Sequence, residues 1–331
     1  MADTEETVLE VKDLKAYYRV MKGDVKAVDG LNFTVRRGEI LGVVGESGCG
    51  KSTLAYSLIS LNKPLQHISG EANLLGQDLM KLSREEKRKL KMKNISIIPQ
   101  YALDAFSPTK KIKTFIKDMV KQHGRRADKE FMDKVKTRFE IVNLSHSVLD
   151  RYSMELSGGM KQRVVMLISS LLDPDLIIAD EITSALDVTS QRYVTTLLAD
   201  LRDEGIIGSA IFITHDLATL YQIADRIMVM YAGRLAELGN ADEIVHNPRH
   251  PYTRALINSL PRIGIQHKDE RLTGIKGTPP DLTDIEEGCR FRFRCQYRTE
   301  ECDKSPKMEK THQRHYIRCW NYESVGSDKN E

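Results

Sequence analysis

The stretch "GESGCGKST", residues 45–53, fits the spacing G-x-x-x-x-G-K-[ST]. Gly45, Gly48 and Gly50 let the chain curl so that backbone N–H groups, including those of Glu46, Ser47 and Cys49, surround phosphate oxygens. Lys51 can reach the outer phosphates, the Ser52 hydroxyl can ligate Mg²⁺, and Thr53 continues the turn into a helix whose positive end favours anions. A second candidate centre is "LIIADE", where an apolar run ends in Asp180 and Glu181. Asp180 would hold Mg²⁺ through water, and Glu181 is placed to orient or deprotonate an attacking water. Cys49 fills a small position in the loop, with no partner thiol or metal pattern around it.

A different chemistry is suggested near the carboxyl end. Cys289, Cys295, Cys302 and Cys319 follow the spacing C-x5-C-x6-C-x16-C, and Cys49 is the fifth cysteine. Such clustering fits a metal site better than a disulfide framework, although the close CxxC pairs of zinc ribbons are missing. Zinc, with His312 or His315 replacing one thiolate, is one reading, and a disulfide pair is another. Arg290, Arg292, Arg294, Arg298 and Arg318 are read as offsetting thiolate charge.

These groups need elements to hold them. Residues 8–46 alternate as strands do and end in "ILGVVG", a run typical of a strand buried on both faces, with a helix expected from Lys51. The stretch 79–153 is charged and mostly helical in pattern, including "KLSREEKRKLKMK", where a basic run reads as a solvated helix face. Buried strands return in "DLIIADE" and "SAIFITHD", separated by the helical "SQRYVTTLLADLRDEG", and the alternation predicts a parallel sheet covered by helices. "RIMVMYAGRLAELG" reads as a hairpin. From about residue 246 prolines and glycines mark a boundary and a less regular end region.

Among 331 residues, 40% hydrophobic content is enough for a real core, and 50 basic against 47 acidic residues leave no global field pointing to nucleic acid. The acidic, polar start and the lack of eighteen consecutive apolar residues predict a chain neither secreted nor spanning a membrane by itself.

"LSGGM", residues 156–160, lies between the two candidate centres. The glycine-rich loop, this pentapeptide, "ADE", "SALD" and "THD" occur in the order that resembles the ATP-binding cassette (ABC) ATPases. The resemblance covers nearly the whole chain from about Tyr17. It implies an α/β P-loop NTPase cassette with a parallel-sheet core, an antiparallel β subdomain, a helical insertion (about 79–170) and a small cysteine-containing extension, the ATPase domain spanning 1–245 and the extension 246–331. ATP and Mg²⁺ are the implied cofactors.

By the same resemblance, Ser157, Gly158 and Gly159 contact the nucleotide of an opposite subunit. Met160 stands where glutamine is commonest. Gln100 senses Mg²⁺ and water, His215 contacts the γ-phosphate and positions Glu181, and Asp187 communicates across the dimer. Tyr18 stacks on adenine, with Tyr17 as the competing choice.

"NPRHPYTRALINSLPR", followed by the clustered cysteines, is similar to the extension of importer ATPases for oligopeptides, dipeptides and nickel. That branch implies a second ATPase subunit, two transmembrane permease subunits that meet the insertion and "YALDAFSPTKKI", an extracytoplasmic solute-binding protein, and a place on the cytoplasmic membrane face. It also implies a [4Fe-4S] cluster on the four cysteines, with Zn²⁺ as the alternative. The competing class is a soluble ABC ATPase acting on nucleic acid or the ribosome, but this chain lacks the long coiled coil or second cassette usual there.

Overall fold

The computed structural model describes residues 6–100, 102, 106–184, 186–259, 274–312 and 314–327. The chain divides into two compact units. One holds the described residues up to Leu9, Val35–Ile40 and Leu74–Thr214; the other holds Glu10–Thr34, Leu41–Asn73 and the described residues from His215 onward.

In the first unit, Ile95–Ile98, Leu176–Asp180 and Ala210–Ile213 run parallel, with Ile98 opposite Ala179 and Asp180 opposite Ile213. Every residue of Leu176–Asp180 is buried, which explains its uninterrupted apolar run. The charged insertion resolves into short helices. Ile112–Gln122 buries Ile112, Ile116 and Val120, and Lys129–Ile141 buries Phe131, Val135 and Phe139, each a single stripe at four-residue spacing. Asp128 caps the second of these through the Phe131 N–H at 2.9 Å. Arg84–Leu90, started by a Ser83–Glu86 capping box, buries no residue, as a solvated basic face requires.

In the second unit the strands run in the order Ile40–Val44, Arg226–Tyr231, Arg234–Asn240, His315–Ile317, Glu309–His312. The first pair is parallel and the next three are antiparallel. The expected hairpin is present as Arg226–Tyr231 with Arg234–Asn240. The end region is more regular than its prolines suggest: His315–Ile317 pairs directly with this hairpin, Ile317 opposite Glu237. Gly23–Arg36, Thr7–Val20 and Leu65–Leu74 lie side by side in that order. The sequence reading does not anticipate Leu65–Leu74, whose polar "LQHISGEANL" alternates weakly.

Glu237, 0% exposed, ties the extension to the hairpin. It accepts from the Arg249 and His250 N–H groups at 2.9 and 3.0 Å and lies 2.8 Å from His315 Nε2. His250 caps the helix Pro251–Asn258, its Nδ1 accepting from the Tyr252 N–H at 3.0 Å. That bond needs an unprotonated Nδ1, and burial pushes the His250 imidazole down to about 4 from 6.5. The unfolded chain therefore takes up this proton first as pH falls. The stability that His250 contributes by staying neutral is complete above pH 6.5 and is lost between 6.5 and about 4, a total of about 3 kcal/mol. Denaturant titrations across this range should show the acid limb flattened in His250→Asn, which retains a capping acceptor but does not titrate.

Candidate active site

The loop 45–53 lies in the second unit, between the buried strand Ile40–Val44 and the helix Lys51–Ile59. Its glycines are demanded by packing. A Cβ on Gly50, which has φ +104°, would run into the Ala27 carbonyl oxygen, and one on Gly45 would run into that of Met230. The Gly233 N–H donates to the Cys49 carbonyl at 2.8 Å, fastening the loop to the hairpin turn. Lys51 is only 4% exposed and donates through Nζ to the carbonyls of Gly45 at 2.8 Å and Glu46 at 3.2 Å. Cys49 is buried, and that burial pushes its thiol up, making it a poor nucleophile.

Tyr17 and Tyr18 point to opposite faces of their strand. The Tyr17 hydroxyl donates to Asp29 at 2.6 Å, in a buried cluster with Arg234 and Arg290. Burial pushes the Asp29 carboxyl up, but this hydroxyl and the two guanidinium groups outweigh it and hold it below the ordinary range. Tyr18 instead places its hydroxyl 3.3 Å from Thr53 Oγ1, beside the phosphate-binding loop. Of the two tyrosines, Tyr18 is the one whose side chain meets that loop's helix. His215, also in this unit, is exposed and directly precedes Asp216, the N-cap of the helix Leu217–Ile223.

The other candidates belong to the first unit. Asp180 ends its strand with 1% exposure. Glu181 leaves the strand with φ +48°, a left-handed conformation that costs a non-glycine residue free energy and recurs at functional sites. Its N–H still donates to the Ile213 carbonyl at 2.9 Å, and its Oε2 accepts from Gln100 Nε2 at 2.7 Å. Gln100 and Glu181, separated by 81 positions, are thus brought into direct contact at the ends of adjacent parallel strands.

Ser157 and Asp187 are helix caps. Ser157 Oγ accepts from the Met160 N–H at 3.3 Å at the start of Gly158–Ser170, and Asp187 accepts from the Ser190 N–H at 3.0 Å at the start of Val188–Asp203. The hydrogen bonds from Ser190 hold the Asp187 carboxyl below its ordinary range. Ser157, Gly158 and Asp187 are exposed and Gly159 is half-buried. Gln162 joins this helix to the loop after Glu181, donating to the Ile182 carbonyl at 3.0 Å.

Beyond these motifs, the chain matches the ABC transporter family over residues 28–184 and the oligopeptide/dipeptide transporter C-terminal region over residues 236–302. It is 38% identical to the dipeptide transport ATP-binding protein DppD of Caldanaerobacter subterraneus subsp. tengcongensis, covering 96% of this chain and 97% of that protein. The chain belongs to the ABC transporter ATP-binding proteins. The oligopeptide transport ATP-binding protein AppF of Bacillus subtilis is likewise 38% identical, over 97% of this ABC protein and 99% of the relative. The dimeric structure of MJ0796, a bacterial ABC transporter cassette, has the same fold, with TM-score 0.62 at 22% identity, covering 70% of this chain and 98% of that one.

The carboxyl-terminal cysteines of this ABC protein depart from expectation. All five cysteines are free thiols, and among the described residues no group of three or more Cys, His, Asp or Glu side chains is arranged to hold a metal ion. The four-thiolate set on Cys289, Cys295, Cys302 and Cys319 is therefore not a formed site. Burial pushes the Cys295 thiol up to about 11 and the Cys319 thiol up to about 12. Cys319 Sγ accepts from the Asn321 N–H at 3.3 Å, and Asn321 Nδ2 lies 3.7 Å from Cys302 Sγ.

Four of the arginines also do other work than offsetting thiolate charge. Arg290 pairs with Asp29, Arg292 with Glu286, Arg294 with Glu46 and Arg298 with Asp303. His315, the zinc alternative, is held by Glu237, and the side chain of His312 lies outside the described residues. Tyr101, Leu103, Asp104 and Ala105, within the expected permease contact, also lie outside them.

Two residues to which the sequence reading gives no role at the nucleotide site touch the phosphate-binding loop. The Glu46 N–H donates to the Tyr252 hydroxyl at 2.8 Å, and Arg294 grips the Glu46 carboxylate. Nothing local in "CRFRFRC", whose residues 290–294 fold as turns, points to Glu46.

Proposed function

We propose that this chain is the ATP-hydrolysing subunit of an importer for peptides or a related solute, such as an oligosaccharide or nickel. The observation that carries the reading is the identity of 38% with a dipeptide transport ATP-binding protein across nearly the full length of both chains. Among the described residues no helix is long and apolar enough to cross a membrane, so the translocation path is assigned to two permease subunits. A solute-binding protein delivers cargo to them, and the ATPase works from the cytoplasmic face of the membrane.

ATP phosphates are assigned to Gly45, Glu46, Ser47, Gly48, Cys49, Gly50, Lys51, Ser52 and Thr53, and adenine to Tyr18. The close backbone packing around Gly45 and Gly50 supports this. Mg²⁺ is assigned to Ser52, Gln100 and Asp180, where it would offset phosphate charge. Glu181 is the base, supported by its contact with Gln100, and His215 is its γ-phosphate partner. Ser157, Gly158, Gly159 and Asp187 face a second ATPase subunit, which the exposure of Ser157, Gly158 and Asp187 supports. Copurification with permeases, followed by ATPase assay in vesicles, tests the whole reading: peptide-loaded receptor should stimulate hydrolysis, and indifference to every receptor and ligand would reject it.

The division into an ATPase domain, 1–245, with a helical subdomain at about 79–170, and an extension, 246–331, belongs to the same proposal. Iron–sulfur occupancy of Cys289, Cys295, Cys302 and Cys319 rests on their number and on Asn321, which meets both the Cys319 and the Cys302 sulfur. It requires the thiols to lose their protons and regroup. Anaerobic purification is expected to yield brown protein with iron and sulfide, and a colourless preparation with stoichiometric zinc would replace that assignment.

A further inference from the structure

Glu46 places a carboxylate inside a loop whose proposed ligand is a polyanion. Unpaired, that charge would repel phosphate. The structure neutralises it from the cysteine-bearing segment: Arg294 Nη1 donates to Glu46 Oε2 at 2.7 Å and Nη2 to Oε1 at 3.0 Å, a two-pronged pair. The same guanidinium donates to the Tyr231 hydroxyl at 3.1 Å, the Ile275 carbonyl at 3.2 Å and the Lys276 carbonyl at 2.8 Å. Five donors thus meet five acceptors, the full capacity of an arginine. The Arg294 side chain is 5% exposed, and these hydrogen bonds, those to Glu46 foremost, raise its affinity for its proton above the ordinary arginine value. At the other end of Glu46, its N–H is taken by Tyr252 and its carbonyl by Lys51.

We propose that Arg294 is a positioning residue for nucleotide binding, fixing Glu46 and cancelling its charge so that the loop accepts a nucleoside triphosphate. Through this contact the carboxyl-terminal extension sets the affinity of the nucleotide site. The inference rests on the assignment of ATP to residues 45–53.

The test is ATP affinity and steady-state kinetics in the full chain. Arg294→Ala should weaken ATP binding about tenfold, within the range typical of coupling between two sites, with the loss in KM rather than kcat. Arg294→Lys should not restore it, because an ammonium lacks the planar fork. Adding Glu46→Gln to Arg294→Ala removes the stranded charge and should recover most of the affinity, which a general loosening of the fold would not do. Thermal melting identifies any variant that fails to fold. If the double variant binds as weakly as Arg294→Ala, or if Arg294→Ala binds like the wild type, the proposal is overturned. Wild-type protein that binds no ATP would instead reject the nucleotide assignment itself.

Discussion

Glu181→Gln is expected to bind ATP with nearly unchanged affinity and to lose hydrolysis by about 10²- to 10⁴-fold, the range typical of removing a general base. The substitution is close to isosteric, and an amide oxygen can still accept the Gln100 Nε2–H that lies 2.7 Å from Glu181 Oε2. What it cannot do is take a proton from water. The backbone has little reason to change, since the left-handed conformation at φ +48° is secured by the Glu181 N–H bond to the Ile213 carbonyl and by the Ser184 N–H bond to the Glu181 carbonyl. A loss of kcat with preserved binding would therefore isolate the chemistry from the fold. If hydrolysis drives reopening of a head-to-tail pair of subunits, the variant should also accumulate as an ATP-bound dimer on size exclusion. Glu181→Asp, one methylene shorter, should lose the Gln100 contact and most of its activity while retaining a carboxylate. Wild-type turnover in Glu181→Gln would remove Glu181 as the base.

The parts of this molecule that the sequence displays are those whose physics is local. A fully buried parallel strand needs an unbroken apolar run, and Leu176–Asp180 has one. A loop passing within contact distance of Ala27 and Met230 backbone needs glycine, and Gly50 and Gly45 stand there. Capping signals at Ser157, Asp187 and Asp128 sit within three residues of the N–H groups they satisfy.

The extension carries little local signal because its determinants are pairings across the chain. Arg294 and Glu46 are separated by 248 positions, Arg290 and Asp29 by 261, and His315 and Glu237 by 78. No periodicity encodes such partners. Composition alone suggests arginines balancing a thiolate cluster, and it does not show that in the fold Arg290, Arg292, Arg294 and Arg298 each also pair with a carboxylate. The strand His315–Ile317 has no local signature for a related reason, since three residues are too few to show alternation and its place depends on pairing with Arg234–Asn240.

Lys51→Ala should produce the second large effect, on binding rather than chemistry. An ammonium that is 4% exposed and donates to the Gly45 and Glu46 carbonyls is already organised at the mouth of the loop. Exchanging one of these neutral acceptors for a phosphate oxygen would give a charge-assisted hydrogen bond, of about 1.5–3 kcal/mol. Loss of that bond corresponds to roughly a 10- to 150-fold rise in the ATP dissociation constant, measurable by calorimetry or a fluorescent nucleotide. Arginine should not rescue it: the guanidinium is wider than an ammonium, and the space around Nζ is bounded by the loop's own carbonyls and by Cys49 Sγ at 3.9 Å. Because Lys51 also ties two loop carbonyls, the alanine variant should melt at a lower temperature without ATP and gain little on adding it. Methionine at position 51 separates the two roles, since it preserves much of the packing of the lysine stem and carries no charge. If Lys51→Met retained wild-type ATP affinity, Lys51 would be a structural tie of the loop and the phosphates would have to be held by its backbone N–H groups alone.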